Sequence, residues 1–218
     1  MKNVAVILSG CGVYDGSEIH ESVLTLLAIE QNGAKYRCFA PNIDQHHVIN
    51  HLTGEVSASE SRNVLVEAAR IARGDIEDIS ELNADEYDAV FLPGGFGAAK
   101  NLSDFAIKGT DCSVNEQVKA ACLAFSAQNK PAGFMCIAPA MIPLIYDGKT
   151  LGTIGTDSGT AEMVEVLGLS HVNCAVEDIV IDESKKVVST PAYMLATSMT
   201  EAATGINKLV NAVLAMTD

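Results

Sequence analysis

Positive charge is scarce in this sequence. Its 218 residues hold 14 Lys and Arg against 28 Asp and Glu, a formal net charge of −14. A chain this acidic repels phosphate backbones and anionic headgroups, so neither nucleic acid nor a membrane surface is an expected partner. Blocks of like charge are missing as well, and the acidity reads as a dispersed solvating surface. No apolar run is long enough to span a bilayer. Cys-x-x-Cys pairs and other zinc spacings are absent, and no glycine-rich segment runs into Gly-Lys-Ser/Thr, so neither a metal site nor a phosphate loop is expected. Leu8-Ser9-Gly10-Cys11 has the outline of a lipoprotein cleavage box. Only Val4 to Leu8 precedes it as an apolar region, which is too short, so the segment reads as a first strand.

What is present suits one α/β domain over residues 1–218. Apolar residues make up 48 %, enough for a core that needs no disulfide staples, and the six cysteines are expected to be reduced in the cytoplasm. Strand and helix patterns alternate, which argues for a mostly parallel sheet covered on both faces. Val4 to Leu8, Tyr36 to Ala40, Asp88 to Leu92 and Ala132 to Met135 read as buried strands. Val176 to Asp182 and Lys186 to Thr190 read as an antiparallel hairpin. Helices are expected after Asp15, over Asn63 to Arg73, Val114 to Gln128 and Thr200 to Met216. In the first, Asp15 and Glu18 have capping-box spacing, and Ile19, Val23, Leu26 and Leu27 form one face. Pro41 to Arg73 is longer and more polar than a simple crossover and reads as an elaboration, or flap.

Functional groups of a parallel sheet gather at the carboxyl ends of its strands. Three loops meet that condition. In the third, Gly133-Phe134-Met135-Cys136-Ile137-Ala138-Pro139-Ala140, a strand runs into a cysteine and Pro139 suits the first turn of a helix. This is a nucleophile elbow with Cys for Ser, and a thiol at a helix N-terminus is biased toward thiolate. Phe134 departs from the Gly-x-nucleophile-x-Gly form, and a buried apolar cysteine is the alternative. The second loop, Pro93-Gly94-Gly95-Phe96-Gly97, can aim free N–H groups at a developing oxyanion, or is simply a turn. In the first, Gly10 to Glu18, the Glu18 carboxyl closes the capping box and, pointed inward, would give or take a proton at Cys136. Cys11 lies in the same loop and is a possible redox neighbour of Cys136. His46, His47 and His51 cluster, with the last two at i, i+4, but the Glu of a helix-borne zinc motif is missing and a solvated polar face is expected.

Several stretches resemble the ElbB family, also called enhancing lycopene biosynthesis proteins. They are Leu8 through Glu21, Val48-Ile49-Asn50-His51-Leu52-Thr53-Gly54-Glu55, Arg62-Asn63-Val64-Leu65, Pro93 through Leu102, Cys136 through Ala140 and Thr190-Pro191-Ala192-Tyr193-Met194. The resemblance spans nearly the whole chain and places it in the class I glutamine amidotransferase-like superfamily. It implies a flavodoxin-like three-layer sandwich, a homodimer, Cys136 as nucleophile and Glu18 as its carboxyl partner. It also implies a glutathione-independent glyoxalase activity, glyoxal to glycolate, with possible protein deglycation. Two departures narrow this. True amidotransferases carry a His and an acid near the C-terminal strands, where this chain has Ser189-Thr190-Pro191-Ala192-Tyr193. The intracellular proteases of the superfamily place His directly after the Cys, where this chain has Ile137. Without that His, protonating a leaving amine is difficult, whereas adding a thiolate to an aldehyde expels nothing. The expected reaction is therefore cofactor-independent turnover of a small aldehyde at Cys136, with backbone N–H groups near Gly94, Gly95 and Ile137 holding the oxygen. A redox-sensing protein on the same fold is the alternative.

Overall fold

The first strand shows why the sheet is buried on both faces. In a computed structural model describing residues 1–146 and 148–217, four of the five residues of β1 (Asn3–Ile7) are buried. Ala5 and Ile7 join one hydrophobic cluster and Val4 and Val6 the other, following the two-residue period of a strand. The chain continues through α1 (Ile19–Gln31), β2 (Lys35–Ala40), the short strands β3 (Ile49–Asn50) and β4 (Glu55–Val56), α2 (Val64–Ile71) and β5 (Ile76–Asp78). Next come β6 (Ala89–Leu92), α3 (Phe96–Lys100), α4 (Phe105–Lys108), α5 (Glu116–Ala127), β7 (Ala132–Met135) and α6 (Ile142–Ile145). The last elements are β8 (Leu151–Gly152), α7 (Ser158–Val166), β9 (Ser170–His171), β10 (Val180–Asp182), β11 (Val187–Thr190) and α8 (Met199–Ala215).

The main sheet has seven strands in the order β10-β11-β7-β6-β1-β2-β5, and only the β10–β11 edge pair is antiparallel. One layer packs Val118 and Phe125 of α5 with Phe39, Leu92 and Phe134 of the sheet. The opposite layer packs Ile29 of α1 and Ile206, Leu209 and Val210 of α8 with Val6, Phe91 and Met135. This is a flavodoxin-like three-layer sandwich, and it carries the ends of β1, β6 and β7 side by side. Among the described residues no helix is long and apolar enough to cross a membrane.

Four expectations change. α1 starts one turn later than its first capping box suggests. Its N-cap is Glu18, whose side chain accepts from the Glu21 N–H, while Asp15 accepts from the Ile49 N–H instead. The face of α1 is also reversed. Ile19, Val23 and Leu27 are exposed, and Glu21, Ser22 and Thr25 are buried beside Leu26 and Ile29. The segment after β2 folds as the β3–β4 hairpin followed by α2. His47 and His51 are therefore not on a helix, and the hairpin is tied down by the Ile49 N–H to Asp15 and the His46 N–H to Asn101. α5 begins at Glu116 because Asn115 caps it, leaving Val114 bridged to Ser103.

Candidate active site

Cys136 sits where β7 ends, with φ of 61°, the left-handed region that non-glycine residues seldom occupy. Its N–H donates to the Thr190 carbonyl at 3.1 Å, which ties the turn to β11. The glycine that makes room for this turn comes from the neighbouring strand. A Cβ on Gly94 would lie 2.8 Å from the Cys136 sulfur and closer still to its Cβ. Phe134 is therefore free to serve the core, where it is fully buried and packs edge-on against Tyr146. Beyond the turn lie a 3-10 turn over Ala138–Met141 and then α6, each four residues long, with Pro139 and Pro143 near their starts. The helix expected to begin at the thiol and favour a thiolate is thus replaced there by a 3-10 turn.

The carboxyl at Cys136 is Glu21. This corrects the assignment of Glu18, whose Oε2 is taken up by the Glu21 N–H at 2.6 Å. Glu21 is completely buried. Its Oε2 accepts from the Gly94 N–H at 2.9 Å and its Oε1 from the Tyr193 N–H at 3.0 Å, and a Cβ on Gly94 would lie within 2.8 Å of both that Oε2 and the Cys136 sulfur, so carboxyl and thiol are neighbours. Ala192, with φ of 44°, is the strained residue that turns the Tyr193 N–H onto it. Gly95, at φ of 92°, and Ile137 direct backbone N–H groups at the Cys136 sulfur. The structure thus gathers Cys136, Gly95 and Ile137 and adds Glu21 and Tyr193, while the Gly94 N–H, expected to face an oxyanion, is instead donated to Glu21 Oε2.

Burial raises the Glu21 carboxyl from 4.5 to about 7, opposed by hydrogen bonds from Tyr193, Cys136 and Gly94. Burial and then the Glu21 carboxylate push the Cys136 thiol up, opposed by the Gly95 and Ile137 N–H groups. The two groups therefore compete for protons in a dry site. Near neutral pH the pair retains at least one, and a proton on Glu21 removes the charge that most disfavours the thiolate.

The other candidates lie apart from this centre. Cys11 is half-buried, and its electrostatic neighbours are Glu67, Arg70 and Asp15 rather than the groups around Cys136. All six cysteines are free thiols. His51 Nε2 accepts from the Tyr14 N–H, and its Nδ1 lies 3.0 Å from the Ile49 carbonyl, so both ring nitrogens serve the hairpin. Sequence reasoning also missed His20. Its Nδ1 lies 2.9 Å from the Tyr193 hydroxyl, and the Tyr193 ring borders the cavity above Cys136. Glu21, Ser22 and Thr25, three polar residues sharing a helix face with Leu26 and Ile29, were the signal available in the sequence.

Comparison with known proteins agrees with the geometry. No family model matches the chain. It is 45 % identical to the ES1 protein homolog, mitochondrial, of Rattus norvegicus, over 98 % of this chain and 84 % of that protein. It is equally identical to the glutamine amidotransferase-like class 1 domain-containing protein 3, mitochondrial, of Homo sapiens, over 98 % and 83 %. Among solved structures, an isoprenoid biosynthesis protein with amidotransferase-like domain from Ehrlichia chaffeensis superposes with a TM-score of 0.93 at 37 % identity, covering 99 % of both chains. Glyoxalase III from Candida albicans shares the fold, with a TM-score of 0.64 at 13 % identity, covering 100 % of this chain and 98 % of that one. The elbow, the sheet order and these relatives place the chain in the ElbB and ES1 family of class I glutamine amidotransferase-like proteins.

Proposed function

We propose that the protein is a cofactor-independent aldehyde-processing enzyme of the glyoxalase type, converting glyoxal to glycolate at Cys136. The observation that carries this reading is the buried Glu21 carboxyl set beside the Cys136 thiol, the two packed together against Gly94.

The sulfur adds to one carbonyl carbon, and the thiol proton passes through Glu21 to the new hydroxyl. Glu21 then takes the C–H proton of the hemithioacetal and returns it to the neighbouring carbon, while the hydroxyl proton passes to the oxygen on that neighbouring carbon. The product is a glycolyl thioester, which water cleaves to glycolate and free thiol. A carboxyl near 7 suits this work, since it holds and releases protons at working pH. The Gly95 and Ile137 N–H groups, fixed beside the sulfur, are positioned for negative charge on the adjacent oxygen.

An amide-cleaving role has less support, because the imidazole at this end, His20, reaches Tyr193 rather than Cys136. A redox sensor needs an exposed, acidified thiol, whereas Cys136 is buried and its thiol is pushed up. Six free cysteines favour a reducing compartment; the cytoplasm was the expectation, and the names of the rat and human relatives carry the word mitochondrial. A homodimer is proposed with one feature in its favour, the exposed apolar stripe of Ile19, Val23 and Leu27 on α1. The decisive experiment is steady-state glyoxal turnover by wild type and Cys136→Ala. Turnover is expected to fall to the uncatalysed rate in the variant, and its retention overturns the assignment.

A further inference from the structure

We infer that the Tyr193 hydroxyl, steadied by His20, carries the proton exchanged between the two substrate oxygens at Cys136. This rests on the aldehyde reading above and adds a proton carrier to it. The rearrangement moves two protons, one between carbons and one between oxygens. Glu21 handles the first, and while it holds the proton taken from carbon it has none to give to oxygen. Backbone N–H groups can face a negative oxygen but do not give up a proton to it.

The cavity above Cys136 leaves one side chain for the task. Among the described residues, its polar side chains besides Cys136 are Thr160 and Tyr193. The Thr160 hydroxyl donates to Asp157 Oδ1 at 2.7 Å, so its proton is committed to the cap of α7. Tyr193 is fixed from two sides. Its N–H donates to Glu21 Oε1 at 3.0 Å, and its hydroxyl lies 2.9 Å from His20 Nδ1. One residue therefore ties the phenol to the carboxyl that works beside it. Burial, then the charges of Glu18 and Glu21, push the phenol up, so it rests protonated. His20 is exposed, and its Nδ1–H donates to the phenol oxygen. That bond leaves the phenol hydrogen for the cavity and steadies the oxygen as the hydrogen departs.

In the hemithioacetal HO–CH(S–Cys136)–CHO, Glu21 takes the C–H proton and the freed electron pair forms a carbon–carbon double bond. The far carbonyl oxygen takes the Tyr193 proton, giving the enediol HO–C(S–Cys136)=CH–OH. Glu21 then returns its proton to the far carbon. The phenolate takes the proton of the near hydroxyl as that oxygen becomes a carbonyl. The thioester HO–CH₂–CO–S–Cys136 is left, Glu21 and Tyr193 regain their starting states, and no oxidant is needed.

The test is steady-state glyoxal turnover by Tyr193→Phe and His20→Ala beside wild type, with the rate of Cys136 alkylation by iodoacetamide as a second reading. Tyr193→Phe keeps the ring and the N–H to Glu21 and loses the hydroxyl alone. Its kcat is expected to fall about 10²-fold, with KM and the alkylation rate within about threefold of wild type. His20→Ala is expected to lose about tenfold in kcat, the worth of one hydrogen bond to a charged oxygen. Free imidazole, which can enter beside an exposed residue, is expected to restore most of that loss. A kcat for Tyr193→Phe within about threefold of wild type overturns the inference and leaves the aldehyde function standing. So does a matching loss in the alkylation rate, which marks Tyr193 as packing alone, or a His20→Ala loss that imidazole leaves in place. Wild-type turnover no faster than that of Cys136→Ala overturns the function and the inference together.

Discussion

The two ends of the parallel sheet are built on different terms. At the amino end, β1 and β6 are joined by ordinary bonds, the Asn3 N–H to the Asp88 carboxylate at 2.7 Å and the Asp88 N–H back to the Asn3 carbonyl at 2.7 Å. At the carboxyl end, Ser9, Ser17, Glu21 and Asn101 are buried polar groups, and Cys136 and Ala192 hold backbone angles costing on the order of 1–3 kcal/mol each. Buried polar groups and strain cost stability unless something returns it. The difference teaches that the carboxyl end gives up stability to hold proton donors and acceptors in fixed positions.

Substitutions break this contrast in order of expected effect. Glu21→Gln keeps the shape but removes the shuttling proton, so glyoxal turnover is expected to fall about 10²–10⁴-fold. Glu18→Gln, measured beside it, is expected to stay within a few-fold and to cost up to about 1 kcal/mol as a weakened cap. An equal loss in both reverses the assignment of Glu21. Gly94→Ala forces a methyl group into Cys136 and Glu21, and denaturant titration is expected to show a loss of about 1–3 kcal/mol together with most of the turnover.

The pH dependence of stability has a definite sign. The folded Glu21 carboxyl lies at about 7 against 4.5 when solvated, so between these values the folded state binds more protons than the unfolded state. Its contribution is complete below 4.5 and is lost as pH rises through 7. The loss is on the order of 3 kcal/mol. Urea midpoints of wild type should carry this slope and those of Glu21→Gln should not; identical slopes dispose of the idea. Asn3→Ala, at the opposite end, is the smallest change. It is expected to cost no more than about 1 kcal/mol and to leave turnover untouched.

Much of the frame was legible because it is local. β1 and β7 are short buried runs bounded by turn residues, and Cys136 follows from a strand end meeting Pro139. Glu21 was not legible, because Asp15/Glu18 and Glu18/Glu21 share the same spacing. Which pair caps α1 depends on Ile49, distant in sequence, engaging Asp15. The orientation of α1 was misread for a related reason. Its inner face meets the polar end of the sheet, so Thr25 is buried and Val23 is not. Tyr193 was beyond reach because its amide is aimed by a positive φ at Ala192, a residue type that rarely adopts one.

The interlock of Gly94 with Cys136 has a consequence for assembly. Leu92 pairs with Phe134, so the same offset carried two residues on sets Gly94 opposite Cys136. A slip of one residue between β6 and β7 brings Pro93 or Gly95 to that place and turns every side chain to the wrong face. The pairing that completes the middle of the sheet is therefore the same one that makes room for the Cys136 turn. A molecule zipped one notch out of step loses the fit of Gly94 against Cys136, so the turn at Cys136 registers how the two strands met.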